Sequence, residues 1–338
     1  MTYAPPDDPQ FLPFKLDTVG RRVLWLRFTM EQRRDAAFLD DRALPAQADG
    51  GWLPLESLLA HAPEATSPAD AIFHIGHCGS TLLSRLVESW PSVQALREPL
   101  PLRTLAEAWP MLGQPQSRLS PDEAPRLLHS LWSRWSQPLP PYSRSVVKAT
   151  SSCNGLIHPL LSQHTGRVVL LDMPLRPYLA TLLKSPGSTH DAAHAAGERL
   201  ADLHARGLAY GLALHAMSLP QQCAMGWLAE RVRFDAIARQ QGGRVLRMDF
   251  ENLLVQPEHE LQRLASHLAL DPAGVSAALA APAWGRYSKA QSHGYGRDDR
   301  AHDLALAMQR HGARIAEGEA WVEAFLQRHP QLHAAVTG

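Results

Sequence analysis

Residues 71–90, AIFHIGHCGSTLLSRLVESW, constrain this chain more than any other stretch. They read as a buried strand (71–75), a tight polar loop (76–80) and a helix opening at Thr81. Leu82, Leu83, Leu86 and Val87 recur at helical spacing as one apolar stripe, and Trp90-Pro91 ends the helix. Backbone N–H groups at such a helix start lack intrahelical partners and lie at the positive end of the helix dipole, so the loop suits a phosphate or sulfate. Gly76 and Gly79 permit close backbone approach, and the hydroxyls of Ser80 and Thr81 can cap the helix or donate to an oxyanion. A glycine turn in any α/β protein would carry the same two glycines, so the rest of the chain must decide.

The 338 residues, 45% hydrophobic, suffice for one large α/β unit with additions or for two domains. Lys plus Arg equals Asp plus Glu at 33 each, which leaves no global field to attract nucleic acid or an anionic membrane. Any anion site must be local. Cys78, Cys153 and Cys223 are too few and scattered for a disulfide framework or a zinc site, which fits a reducing compartment. The first ten residues lack a basic region followed by an apolar run, and no later segment approaches ~18 apolar residues. A cytoplasmic protein is expected.

Residues 1–68 read as a small N-terminal α+β element: a strand at 23–29, a helix at 31–44, then a turn and short helix over 50–62. Residues 69–338 form the main domain. A short strand ends near Leu96, and Glu98 follows it. A carboxylate just past a strand's carboxyl end, beside an anion loop, sits where open α/β sheets place ligands. A surface glutamate in an ion pair would read the same way. Strands at 143–150, ending near Lys148, and at 166–174 favour a parallel sheet covered on both faces, hence a three-layer α/β/α fold. The helix from 175 carries Arg176, Thr181 and Lys184 on its polar surface, and Arg286, Ser288, Lys289 and Arg297 form a basic stretch near the end. His190 and His194 are four apart on a helix but lack a third ligand, so no metal site is expected.

The order of these segments is more specific than any one of them. FHIGHCGSTLLSRL, the Glu-Pro after the next strand, VVKAT, VVLLDMPLRPYLATLLKS and VLRMDFENLLVQPEHELQRLASHLAL together resemble the PAPS-dependent sulfotransferase family, over residues 70–300. The resemblance implies a P-loop-like α/β fold. It also implies transfer of a sulfuryl group from 3′-phosphoadenosine 5′-phosphosulfate (PAPS) to a hydroxyl or amine of a small-molecule or carbohydrate acceptor, without a metal. On that resemblance Gly76, His77, Cys78, Gly79, Ser80 and Thr81 hold the phosphosulfate, Lys148 approaches the transferring group and Glu98 is the base.

Two positions depart from the family. His77 stands where a permanent cation is usual, and Asp172 stands where the family carries the arginine that reads the 3′-phosphate. Arg176, with Thr181 or Lys184, is the expected substitute, with Arg286 and Lys289 also placed in the binding set. Three other readings stay open. One is a nucleotide-binding scaffold of the same fold that has lost transfer. Another is a cysteine phosphatase using Cys78 and Arg85, although six residues separate them where that signature has five. The last is a P-loop kinase, although the loop has no GxxxxGK[ST] lysine.

Overall fold

The computed structural model describes residues 7–45, 47–60 and 67–337. Five short strands form the central sheet: β4 (Asp70–His74), β5 (Val93–Arg97), β6 (Arg144–Lys148), β7 (Val168–Asp172) and β8 (Val245–Asp249). Their order is β5-β6-β4-β7-β8 and every pairing is parallel. β4, β5 and β7 are buried along their whole lengths, as expected for apolar strands with helices on both faces. The chain leaves β4 in one direction for β5 and β6, and in the other for β7 and β8. The carboxyl end of β4 is therefore the topological switch point, where open α/β sheets form their ligand crevice. The glycine loop occupies that end.

The N-terminal element is a second sheet, antiparallel, built from β1 (Phe11–Asp17), β2 (Arg22–Arg27) and β3 (Gly50–Pro54). The sequence reading found only its central strand. In β1 the alternation is interrupted at Pro13, which an edge strand tolerates, and the register shifts between Pro13 and Lys15. β3 opens on Gly50-Gly51, a pair that reads as a turn. The helix expected over 31–44 stops at Asp35, because Ala36 leaves helical dihedrals and the bend after it bonds to the end of β5, where Leu39 N–H donates to Arg97 C=O at 2.7 Å; a short 3-10 turn follows at Asp41–Ala43.

Helix Ser80–Val87 presents Leu83, Leu86 and Val87 to the sheet. Residues 186–241 hold two helices, Pro186–Ala205 and Leu219–Gln241, the second opened by Ser218 with a capping box. Trp132 and Trp135 are buried, and core residues of both sheets join one apolar cluster.

Candidate functional site

His74, the last residue of β4, fixes the loop from below. Its Nε2 lies 3.0 Å from Ala149 C=O, to which it donates, and its Nδ1 accepts from Gly76 N–H at 3.0 Å. Both ring nitrogens are used only by the neutral form. Burial, then the nearby Lys148 cation, hold its pKa well below the usual histidine value. Gly76 (φ 87°), His77 (φ 53°) and Gly79 (φ 77°) then all take left-handed conformations, which carry the chain across the mouth of the sheet. For His77 this is strain, held in place by the surrounding bonds. Gly79 permits no side chain, since a Cβ would sit 2.0 Å from the Phe250 ring. Helix Ser80–Val87 starts at Gly79 with no side-chain cap, which leaves its first N–H groups for a ligand.

Glu98 follows β5 and is also left-handed (φ 52°). Its N–H donates to Lys148 C=O at 2.6 Å, across the β5–β6 register, and its carboxylate accepts from Lys148 Nζ. Thr150 Oγ1 lies 3.4 Å and Arg103 3.7 Å from its other oxygen, Oε2. Lys148 is 1% and Glu98 8% exposed, so this is a buried pair at the carboxyl ends of adjacent strands.

A cavity of about 290 Å³ joins the loop to this pair. His77, Gly79, Ser80, Thr81, Glu98, Lys148, Thr181, Lys184, Arg286 and Lys289 all line it, so the fold brings together residues that the sequence scatters over two hundred positions. Among the described residues, six cations and one carboxylate line it. Three cations are committed: Lys148 to Glu98, Lys184 to Asp303 at 3.0 Å and Arg300 to Glu251. Arg297 lies over the Trp284 ring at 5.5 Å, and among the described residues Arg286 carries no ion pair. Lys289 keeps much of its length in solvent but directs its ammonium inward, 5.9 Å from the Phe38 ring. That enclosure lowers its pKa, with Glu98 acting the other way.

His77 has Ser188 Oγ 3.4 Å from Nδ1 and Asp191 3.7 Å from Nε2. Burial, reinforced by the Lys289 cation, pushes its pKa down to about 4, so near neutrality it carries no charge.

Three of the expected binding residues are placed otherwise. Gly76 spends its N–H on His74 rather than on a ligand. Cys78 turns its thiol into the sheet, 3.4 Å from Leu171 C=O, and is fully buried; burial raises it to about 12, which removes the low-pKa nucleophile that a cysteine phosphatase needs. Arg176 points away from the cavity and pairs in the open with Glu319 at 2.7 Å. Its side chain is 62% exposed, and the carboxylate that draws it aside comes from the long helix Arg297–Arg328. Asp172 is buried between Arg231 (3.0 Å) and Arg247 (3.1 Å), in a network within the fold. His190 and His194 lie exposed on helix Pro186–Ala205.

The sequence reading missed His74, Ser188, Phe250, Trp284 and Arg300. The aromatic and basic residues between Trp284 and Arg300 were the available signal; His74 had none beyond its place two residues before Gly76.

No protein-family model and no curated protein matches the chain. Among solved structures it is similar to the sulfotransferase domain from the curacin biosynthetic pathway, at 12% identity over 73% of this chain and 91% of that one, with a TM-score of 0.43. It is also similar to the sulfotransferase domain from the Synechococcus PCC 7002 olefin synthase, at 13% identity over 73% and 89%, TM-score 0.41. A third is a sulfotransferase from Mycobacterium avium, at 10% identity over 75% and 78%, TM-score 0.36.

Proposed function

We propose that this chain transfers a sulfuryl group from PAPS to an acceptor hydroxyl or amine. The observation that carries the reading is the convergence, in one cavity, of an uncapped helix start, a buried Lys–Glu pair and a cationic wall with aromatic faces. A nucleotide with anionic groups at both ends matches those features. Its phosphosulfate meets the N–H groups of Gly79, Ser80 and Thr81, its base lies against Phe250 and Trp284, and its second phosphate meets Arg286 and Arg297. Arg176 has no part in this arrangement.

In the transfer, the acceptor oxygen or nitrogen forms a bond to sulfur as the bond from sulfur to the bridging phosphate oxygen breaks. The acceptor proton goes to Glu98, and 3′,5′-ADP leaves. Lys148, now bonded to Glu98, moves to the bridging oxygen as its charge grows, which frees the carboxylate to take the proton. A kinase reading fits the donor set less well. Among the described residues the one carboxylate lining the cavity is bonded to Lys148, which leaves Mg²⁺ no acidic oxygen pair there.

The scaffold reading is favoured by one observation, the closed Lys148–Glu98 pair. Calorimetric titration with PAPS, 3′,5′-ADP and ATP, followed by turnover of PAPS with p-nitrophenol, separates the cases. Binding of both adenosine 3′-phosphates with turnover supports transfer, binding without turnover supports the scaffold, and no binding of either refutes the proposal.

A further inference from the structure

The N-terminal element meets the site through residues 38–40. Leu39, 2% exposed, brackets Glu98 with its own backbone: its N–H donates to Arg97 C=O at 2.7 Å, and its C=O accepts from Leu100 N–H at 3.1 Å. The same region is tied a second time, because the buried Arg97 guanidinium donates to Arg34 C=O (3.1 Å) and Ala36 C=O (3.0 Å). Glu98 thus holds its left-handed backbone while both flanks are pinned to residues 34–39, the end of helix Met30–Asp35 and the bend after it. Two bonds of this kind can sustain a conformation that costs of order 1–3 kcal/mol when unsupported.

The side chains continue the arrangement. Arg103 stands between two carboxylates, 4.0 Å from Asp40 and 3.7 Å from Glu98 Oε2, and its buried Nε–H has no partner among the described residues. Arg42 Cζ lies over the Phe38 ring, 3.6 Å from its centroid, and Lys148 Nζ lies 5.9 Å from the same centroid. Glu98 is therefore engaged on both oxygens, by Lys148 at Oε1 and by Arg103 with Thr150 at Oε2.

We propose that residues 38–40 and Arg103 form a positioning unit for Glu98, which makes the N-terminal element part of the catalytic centre rather than an appendage. The inference rests on Glu98 as the proton acceptor in sulfuryl transfer. Asp40, itself held by Arg42, faces Arg103 at 4.0 Å, Arg103 faces Oε2 at 3.7 Å, and Leu39 holds the backbone, so the carboxylate stays turned toward Lys148 and the cavity.

The test uses the full chain with Arg103→Ala, Arg103→Lys and Asp40→Asn, each alone and combined with Glu98→Gln. Three quantities are measured: 3′,5′-ADP affinity, PAPS turnover with p-nitrophenol, and acylation of Lys148 by an amine-reactive ester, read by mass spectrometry. Nucleotide affinity is expected to stay within about twofold, while turnover falls about tenfold in Arg103→Ala and recovers in Arg103→Lys. In the Glu98→Gln background Arg103→Ala and Asp40→Asn are expected to have no further effect, because coupled residues are not additive. Acylation of Lys148 rises severalfold in Arg103→Ala, at an unchanged unfolding midpoint. Wild-type levels of Lys148 acylation in Arg103→Ala, or full additivity with Glu98→Gln, would overturn the proposal. Should the wild type bind no adenosine bisphosphate, the functional reading fails, while the acylation result still decides whether Arg103 positions the pair.

Discussion

Anion binding at the glycine loop is predicted to draw a proton onto His77. In the free protein burial and Lys289 hold this histidine at about 4, against an ordinary 6.5. A phosphosulfate beside the ring adds negative charge at close range and offsets both causes. Return from about 4 to the ordinary value corresponds to about 3 kcal/mol, or roughly two orders of magnitude in affinity. The sign follows from linkage. Above pH 6.5 His77 is neutral with or without ligand, and pH has no effect through this group. As pH falls toward 4, the bound state accepts a proton that the free state refuses, so affinity climbs and levels off below 4. Calorimetry of PAPS binding at pH 5, in two buffers of different ionisation enthalpy, measures the uptake directly. Wild type should take up close to one more proton than His77→Gln, the difference cancelling the ligand's own 3′-phosphate. Equal uptake by the two proteins would refute the reasoning.

Glu98→Gln should lower PAPS turnover by about 10²–10⁴-fold while nucleotide affinity, measured by calorimetry, stays near wild type. Gly79→Ala combines a disfavoured φ of 77° with a Cβ 2.0 Å from Phe250, and should cost about 3 kcal/mol in urea unfolding as well as ligand affinity. Arg176→Ala removes an exposed pair with Glu319 and should change ligand affinity by less than about twofold; a tenfold loss by calorimetry would return Arg176 to the site. His74, His77 and His164 all titrate below their ordinary value, burial being the first cause in each, with a pKa of about 4 for the latter two. The unfolded chain binds those protons first. Stability from these groups is complete above pH 6.5 and should drop by a few kcal/mol as pH falls to 4, which urea unfolding across that window would show.

Periodicity and turn chemistry were enough to place the parallel strands and the glycine loop, because β4 and β7 have apolar centres and each strand has a clear end. β1 and β3 were hidden by the features that make them edge strands, a proline in one and two glycines in the other. The candidate site was legible where its residues end or directly follow a strand, as Lys148 and Glu98 do. It was not where a side chain's direction decides. Arg176 and Thr181 lie on one helix, yet Arg176 meets Glu319 and Thr181 lines the cavity. The choice is made by helix Arg297–Arg328, more than a hundred residues further on. Cys78 likewise looked available until the loop's backbone turned it inward.

Phe250 joins two parts of the molecule that share no covalent neighbourhood. One edge of its ring fills the space a Cβ would need at Gly79, and its face carries the Arg300 guanidinium at 5.2 Å, in the first turn of helix Arg297–Arg328. Loop shape and the seating of that helix are thus read through one aromatic ring. A smaller residue at 250 would make room for alanine at 79 and leave Arg300 to its pair with Glu251 alone, so a change at any of the three is felt at the others.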